Sequence, residues 1–376
     1  MIYLGTVSFF TDFASALVNP LLPIFIVVYL KEGMDKLGFV VALSTFFSYS
    51  LRVVFGYISD RYGINKPLLV AGYGLSAFSK PLLGFSQSYK SVAILRSLER
   101  IGKAIRTAPK DSMLASYGEK KTGRTFGFHK MMDIAGEFTG TLVLFILLLY
   151  LGTGEETVRN IFFSTAVPGI IALAILVFFV EDIKKSPKRV RFFLQKRDIR
   201  IIKGLLLFFI FVFFFFNEAF FTVAAKETGI GIAYIPALFM LSAFVQTVTS
   251  YPSGILIDRY GAPKVLALSL LFGTLAEAML YLQTKWSVIL SFAFLGLFSV
   301  FSLNSARSFI AQGKSRGTLY GIFYAALALF GAAGAYVMGI VWQYAGQRFA
   351  TALSLSFTLL VTAIFSLRVG FGFNSK

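Results

Sequence analysis

Cysteine is absent from this 376-residue chain, so neither a disulfide framework nor a thiolate metal site is available to it. His129 is the one histidine, which removes the paired-histidine metal motifs. No Gly-rich phosphate-binding loop of the P-loop type occurs, so ATP hydrolysis within the chain is not a source of drive. Charge is sparse at 14% of residues, too little to clothe a soluble protein of this length. Acids are the scarcer sign: 18 Asp and Glu stand against 36 Lys and Arg, leaving a net charge of +18. With so few nucleophiles, bases and ligands, the reading is of no enzyme, no metal and no cofactor.

What is abundant is apolar, 57% of the chain including 44 phenylalanines, arranged in stretches of about 20 residues that match the ~30 Å of a bilayer's hydrocarbon. The pattern predicts an all-α membrane protein with twelve transmembrane helices. The first begins almost at Met1 without a basic leader or small-residue cleavage site, and reads as a retained helix. Basic residues gather in alternate connections, as at Arg61 and Lys66, Lys120 to Arg124, Lys184 to Lys203, and Lys314 to Arg316. The positive-inside bias then places both termini in the cytoplasm, in a multi-pass protein of the cell membrane. The bias explains most of the excess charge and disfavours a nucleic-acid partner; the bilayer itself is the expected partner.

The one long polar connection divides the spans six and six. The predicted domains are an N-terminal bundle over 1–180, a basic linker over 181–202 and a C-terminal bundle over 203–376. The Phe192 to Leu194 stretch of that linker, set among basic residues, suits a segment lying on anionic headgroups. The halves also repeat each other. "GYISDRYGINKP", Gly56 to Pro67, parallels "GILIDRYGAPK", Gly254 to Lys264, each after the second span of its half.

At these residues the chain resembles transporters of the major facilitator superfamily. The family's cytoplasmic signature matches Gly56, Asp60, Arg61, Gly63 and Lys66, and recurs at Gly254, Asp258, Arg259 and Gly261. Arg100, Gly102 and Lys103, followed by Arg106, Pro109, Lys110 and Asp111, resemble a poorly characterised prokaryotic branch near the drug/proton antiporters. The resemblance implies two pseudo-symmetric six-helix bundles rocking about a central site, with a monomer binding a small-molecule substrate. It implies a gating contact in which Asp60 caps a helix of the other half and Lys66 pairs with Asp111. The motif glycines are expected to allow close helix approach.

The fourth span is the least expected, because Arg96, Arg100, Lys103 and Lys110 fall on one helical stripe with Glu99 and Arg106 beside it. Charge facing lipid costs several kcal/mol per group, so the stripe should border a watery cavity or carboxylates. The fifth span offers His129, Asp133 and Glu137 at spacings of four, and the first offers Asp12, with Arg52 of the second as a natural partner. Glu218 is the lone acid of an aromatic seventh span, where desolvation would favour a protonatable group, whereas Glu277 and Arg307 near span ends read as structural. Asp12, Arg52, Arg96, Glu99, Arg100, Asp133, Glu137 and Glu218 are therefore the candidates for binding substrate or protons. The first functional reading is proton-coupled export of amphipathic or cationic compounds. The alternatives are carriage of an organic anion or phosphorylated solute, which Arg52, Lys80, Arg96 and Arg100 would favour, and a membrane sensor that does not transport.

Overall fold

A segment crossing hydrocarbon must satisfy its backbone amides and carbonyls internally, and a helix does so. The computed structural model describes residues 1–117, 122–182, 195–313 and 316–372, and among these it contains helices and no strand. The span-one helix α1 (Ile2–Val18) continues through α2 (Leu22–Ile24) and a π-helical turn at Phe25–Tyr29. Next come α3 (Met34–Tyr62), α4 (Lys66–Leu82), α5 (Tyr89–Tyr117) and α6 (Thr122–Leu151), with α7 (Glu155–Ser164) and α8 (Ala166–Phe179) making span six. The second half runs through α9 (Lys196–Phe214) and α10 (Glu218–Glu227) as span seven. It ends with α11 (Ile235–Tyr260), α12 (Ala262–Tyr281), α13 (Lys285–Ala311), α14 (Arg316–Ala345) and α15 (Gln347–Gly372). Among the described residues, 11 segments suit a membrane crossing by length and apolarity. The remaining span is α5, equally long but interrupted by the charges from Arg96 to Lys110.

Both first-in-half spans are broken. Pro20 and Pro23 remove amide donors from the ladder between α1 and α2. Span seven, which the sequence presents as one aromatic run, opens at Phe215 to Asn217, where the backbone is extended and the Asn217 side chain accepts the Ala219 amide at 3.1 Å. Asparagine competes for nearby amides in this way and starts the new helix.

The chain forms two compact units, one of Met1–Glu32 with Leu43–Arg191, the other of Gly33–Ala42 with Phe192–Lys376. The first turns of α3 thus group with the second unit. There the Gln343 side chain accepts the Met34 amide at 2.7 Å, and a Cβ on Gly38 would lie 2.7 Å from the Ala335 carbonyl. In the first unit α6 lies on α1 at a glycine face, where a Cβ on Gly140 would stand 2.6 Å from the Phe13 carbonyl and one on Gly136 would collide with that of Phe9. Lipid tails supply no hydrophobic drive between helices, so contact of this closeness, through van der Waals packing, replaces it. The core of the second unit is phenylalanine-rich, with Phe208, Phe211, Phe298, Phe301, Phe309 and Phe323 buried together. The linker residues 183–194 lie outside the described residues, including the headgroup-binding stretch expected at Phe192 to Leu194.

Candidate functional site

The repeated motif caps helices. Gly63 (φ 66°) and Gly261 (φ 86°) adopt the left-handed conformation just past α3 and α11, and their amides return to the Ser59 and Ile257 carbonyls at 2.9 Å. Glycine takes this backbone without steric cost. The other motif glycines do not make the expected close approach: a Cβ on Gly56 would meet only Ala108, at 3.4 Å, and one on Gly254 nothing within 4 Å. Tight backbone contacts occur instead where helix axes cross, as at Gly72 and Gly102. Arg61 is exposed, donates to the Tyr57 hydroxyl and lies near the Tyr57 and Tyr62 rings, while Asp258 and Arg259 are also exposed. Lys66 is placed on the end of span six rather than at the expected Asp111: its Nζ donates to Val177 O at 2.9 Å and its amide to Asp182 at 3.2 Å. Asp111 is exposed at the end of α5. Asn65 is buried and accepts the Ser59 hydroxyl at 3.0 Å, a neutral contact at the turn. The side chain of Asp60, expected to cap a helix, lies outside the described residues.

The charged stripe of α5 is tucked into the first unit. Arg96 donates to Glu99 at 2.7 Å and to Asn19, beside the break in span one, at 2.7 Å. Glu99 is 2% exposed and also receives Arg100 Nε at 3.5 Å, while Arg100 itself is partly exposed. Paired, hydrogen-bonded charge of this kind tolerates burial, as isolated charge does not. Gly72 and Gly102 bring the α4 and α5 backbones together, since a Cβ on Gly72 would sit 2.6 Å from the Gly102 carbonyl. Across that crossing Arg106 donates to Ser76 at 2.7 Å and covers the Tyr73 ring at 4.5 Å. It is buried and ties two helices, so it stands apart from the accessible charges.

Lys80 of α4 is buried and donates to Thr11 O at 3.0 Å. Asp12 is half-buried within electrostatic reach of Lys80, Lys103 and Glu137, and Lys103 is within reach of Arg52 and Arg100. The Arg52 guanidinium lies over the Tyr49 ring at 4.8 Å. Asp12, Arg52, Glu99, Arg100 and Lys103 are therefore brought into one neighbourhood. A second cluster lies further along α6: His129 Nδ1 is 3.3 Å from Asp133, which is 4.0 Å from Lys110. Glu137, one turn beyond, is exposed.

In the second unit the expected environment of Glu218 is corrected. It is exposed in the first turn of α10, because the break at Asn217 turns it away from the aromatic run that precedes it in sequence. An acid that is buried at the break is Glu277, which is 0% exposed and accepts the Phe216 amide inside it at 2.8 Å. Arg307, read as structural, donates to the Tyr324 hydroxyl at 3.5 Å.

Known proteins agree with this architecture. An uncharacterised MFS-type transporter of Methanocaldococcus jannaschii is 30% identical over 354 residues, covering 90% of this chain and 87% of its own. Among solved structures, the nucleoside transporter NupG overlays with a TM-score of 0.76 at 14% identity, covering 98% of each chain. A D-xylose-proton symporter overlays at 0.70 and 16% identity, covering 96% and 95%. Those two likenesses speak for the fold alone. The Major Facilitator Superfamily model matches residues 4–225 and 204–370. Spanning both halves, that match, with the Methanocaldococcus relative, makes this chain a multi-pass transporter of the major facilitator superfamily, not an enzyme.

Proposed function

We propose that the chain is a secondary active transporter of a small anionic solute, an organic acid or a phosphorylated compound, moved by alternating access. The supporting observation is the charge balance around α5. Arg52, Lys80, Arg96, Arg100 and Lys103 share three acids, Asp12, Glu99 and Glu137, and Glu99 is committed to Arg96 and Arg100. The remaining positive charge, partly exposed at Arg100 and Lys103, is what a carboxylate or phosphate requires. The competing reading, a cationic amphiphile exchanged for protons, draws on Asp12 among Phe9, Phe10 and Phe13. Its second support, a desolvated Glu218, is replaced by an exposed one, and Asp12 faces Lys80 and Lys103, which compete for its charge.

A thermal-shift screen of purified protein against organic acids, sugar phosphates, neutral sugars and cationic amphiphiles tests the proposal, since a ligand that binds the folded state raises its melting temperature. Stabilisation by an anion class, weakened in Arg100→Gln and Lys103→Gln, is expected. Stabilisation by cationic amphiphiles alone, unaltered in those variants, overturns it.

A further inference from the structure

Each half of the chain sets one ionisable side chain of its third span against its own first span. In the first unit this is Lys80, bonded to Thr11 O; in the second it is Glu277, bonded to the Phe216 amide. Their electrostatic settings differ. Lys80 has Glu99 and Asp12 within reach, so its charge meets opposite charge. Glu277 forms no ion pair among the described residues, and its Oε2 is buried with no hydrogen-bond partner.

The groups around the carboxyl are uncharged. From α15 comes the Ser354 hydroxyl, which itself donates to Phe214 O at 2.8 Å. From α14, Trp342 packs on Phe216 with ring centroids 5.4 Å apart. The charged side chains of neighbouring elements lie elsewhere along them. Arg348 of α15 is exposed over the Tyr281 ring at 5.9 Å, with Arg368 near the helix's far end. Lys285 and Arg307 lie toward the ends of α13, Asp258 and Arg259 close α11, and Glu218, Lys226 and Glu227 belong to α10. Asp198, Arg200 and Lys203 occupy the first turns of α9.

An ionised carboxylate in that setting would exchange its hydration for one amide donor, a large penalty without a cation. A carboxylic acid keeps the Phe216 bond through its carbonyl oxygen and needs only an acceptor for its O–H. We propose that Glu277 is a proton-binding site that couples protonation to the break in span seven. With the proton on Oε2, Oε1 holds the Phe216 amide and the break stays packed under Trp342. Once the proton passes to water, the carboxylate draws water in, and the segment from Phe214 to Glu218 loosens. Glu277 supplies a proton-binding group in the second unit whatever the charge of the transported solute.

Infrared difference spectra of the full chain in lipid nanodiscs, together with hydrogen exchange of the 214–218 amides, test this without a transport assay. The wild type is expected to show the carbonyl stretch of a neutral carboxylic acid that disappears as pH rises, and Glu277→Gln to lack it. After correction for intrinsic pH dependence, exchange at Phe216 should quicken about tenfold across that transition, the effect of losing one buried hydrogen bond. In Glu277→Gln it should not change with pH. Should the amide variant fail to fold, Glu277→Asp should retain the band at a displaced frequency. Spectra identical between wild type and either folded variant, or exchange at Phe216 indifferent to pH in the wild type, overturn the proposal. Failure of the anion screen leaves these readouts unaffected.

Discussion

Replacing Glu99 with glutamine should destabilise the first unit more than any single change on its surface. The carboxylate is 2% exposed, and it holds Arg96 at 2.7 Å and Arg100 at 3.5 Å. Glutamine preserves volume and one acceptor, so the loss isolates charge. It leaves Arg96, 6% exposed, with neutral acceptors, such as the Asn19 side-chain oxygen, and no counter-charge from position 99. Removing one partner of a buried ion pair costs about 3–5 kcal/mol, much of it the penalty on the charge left behind. At about 2–4 °C per kcal/mol for a unit of this size, the melting temperature in detergent or nanodiscs should fall by about 6–20 °C. The double variant Arg96→Met with Glu99→Gln carries no stranded charge from this pair. It should therefore be more stable than the two single changes summed, by about 1–3 kcal/mol. A shift of under about 2 °C for Glu99→Gln, with strict additivity in the double variant, would refute the claim that Arg96 is held by a desolvated pair.

The helix crossing at Gly136 predicts that Gly136→Ala lowers folded yield and costs about 1–3 kcal/mol, because the new Cβ meets the Phe9 carbonyl of α1. Gly127→Ala, on the same helix with nothing within 4 Å, is the control and should be neutral or slightly stabilising in the same melting assay. The cap at Gly63, with φ at 66°, predicts a loss of about 1–2 kcal/mol for Gly63→Ala, whereas Gly254→Ala, in open space, should melt like the wild type. Arg106→Lys keeps the charge but forfeits the planar contact over Tyr73 and the Ser76 bond. It should cost about 1–2 kcal/mol and leave the affinity for a stabilising anion unchanged, which a titrated thermal shift reads directly.

How far the molecule was legible in its sequence depended on the range of the forces involved. Hydropathy over a window of one span is local, and it predicts the helices, as does the duplicated Gly-Asp-Arg-x-Gly motif, whose final glycine caps a helix in each half. The α5 stripe is legible for a similar reason: helical periodicity alone puts Arg96, Arg100 and Lys103 together. The break at Asn217 is hidden because twelve consecutive apolar or aromatic residues precede it and outweigh one capping side chain. That break in turn misleads the reading of Glu218, whose aromatic sequence neighbours are not its spatial ones. Glu277 is the converse case. "TLAEAML" looks like an ordinary span end, and the burial of its acid comes from Phe216, Trp342 and Ser354, all more than sixty residues away in sequence. Likewise Arg106 differs from its stripe neighbours only through Ser76 and Tyr73 on α4.

The two halves share a helical plan but not an electrostatic one. The fourth span of the first half, α5, carries Arg96, Glu99, Arg100, Lys103 and Arg106 within three turns. Its counterpart α13 carries Arg307 near one end and buries Phe292, Phe298, Phe301 and Phe309 instead. A duplicated fold that kept both stripes would place two like-charged clusters in one protein, each demanding counter-charge that a chain with 18 acids supplies poorly. Confining the stripe to the first unit lets Glu99, Asp12 and Asp133 serve it, while the second unit packs with aromatic rings and buries the acid Glu277 at a helix break. On this division the first unit is the place to look for recognition of the solute's charge and the second for the response to protons. Substitutions at Arg100 and Lys103 of α5 should therefore change which anions stabilise the protein, and Glu277→Gln should change the pH at which any ligand does so.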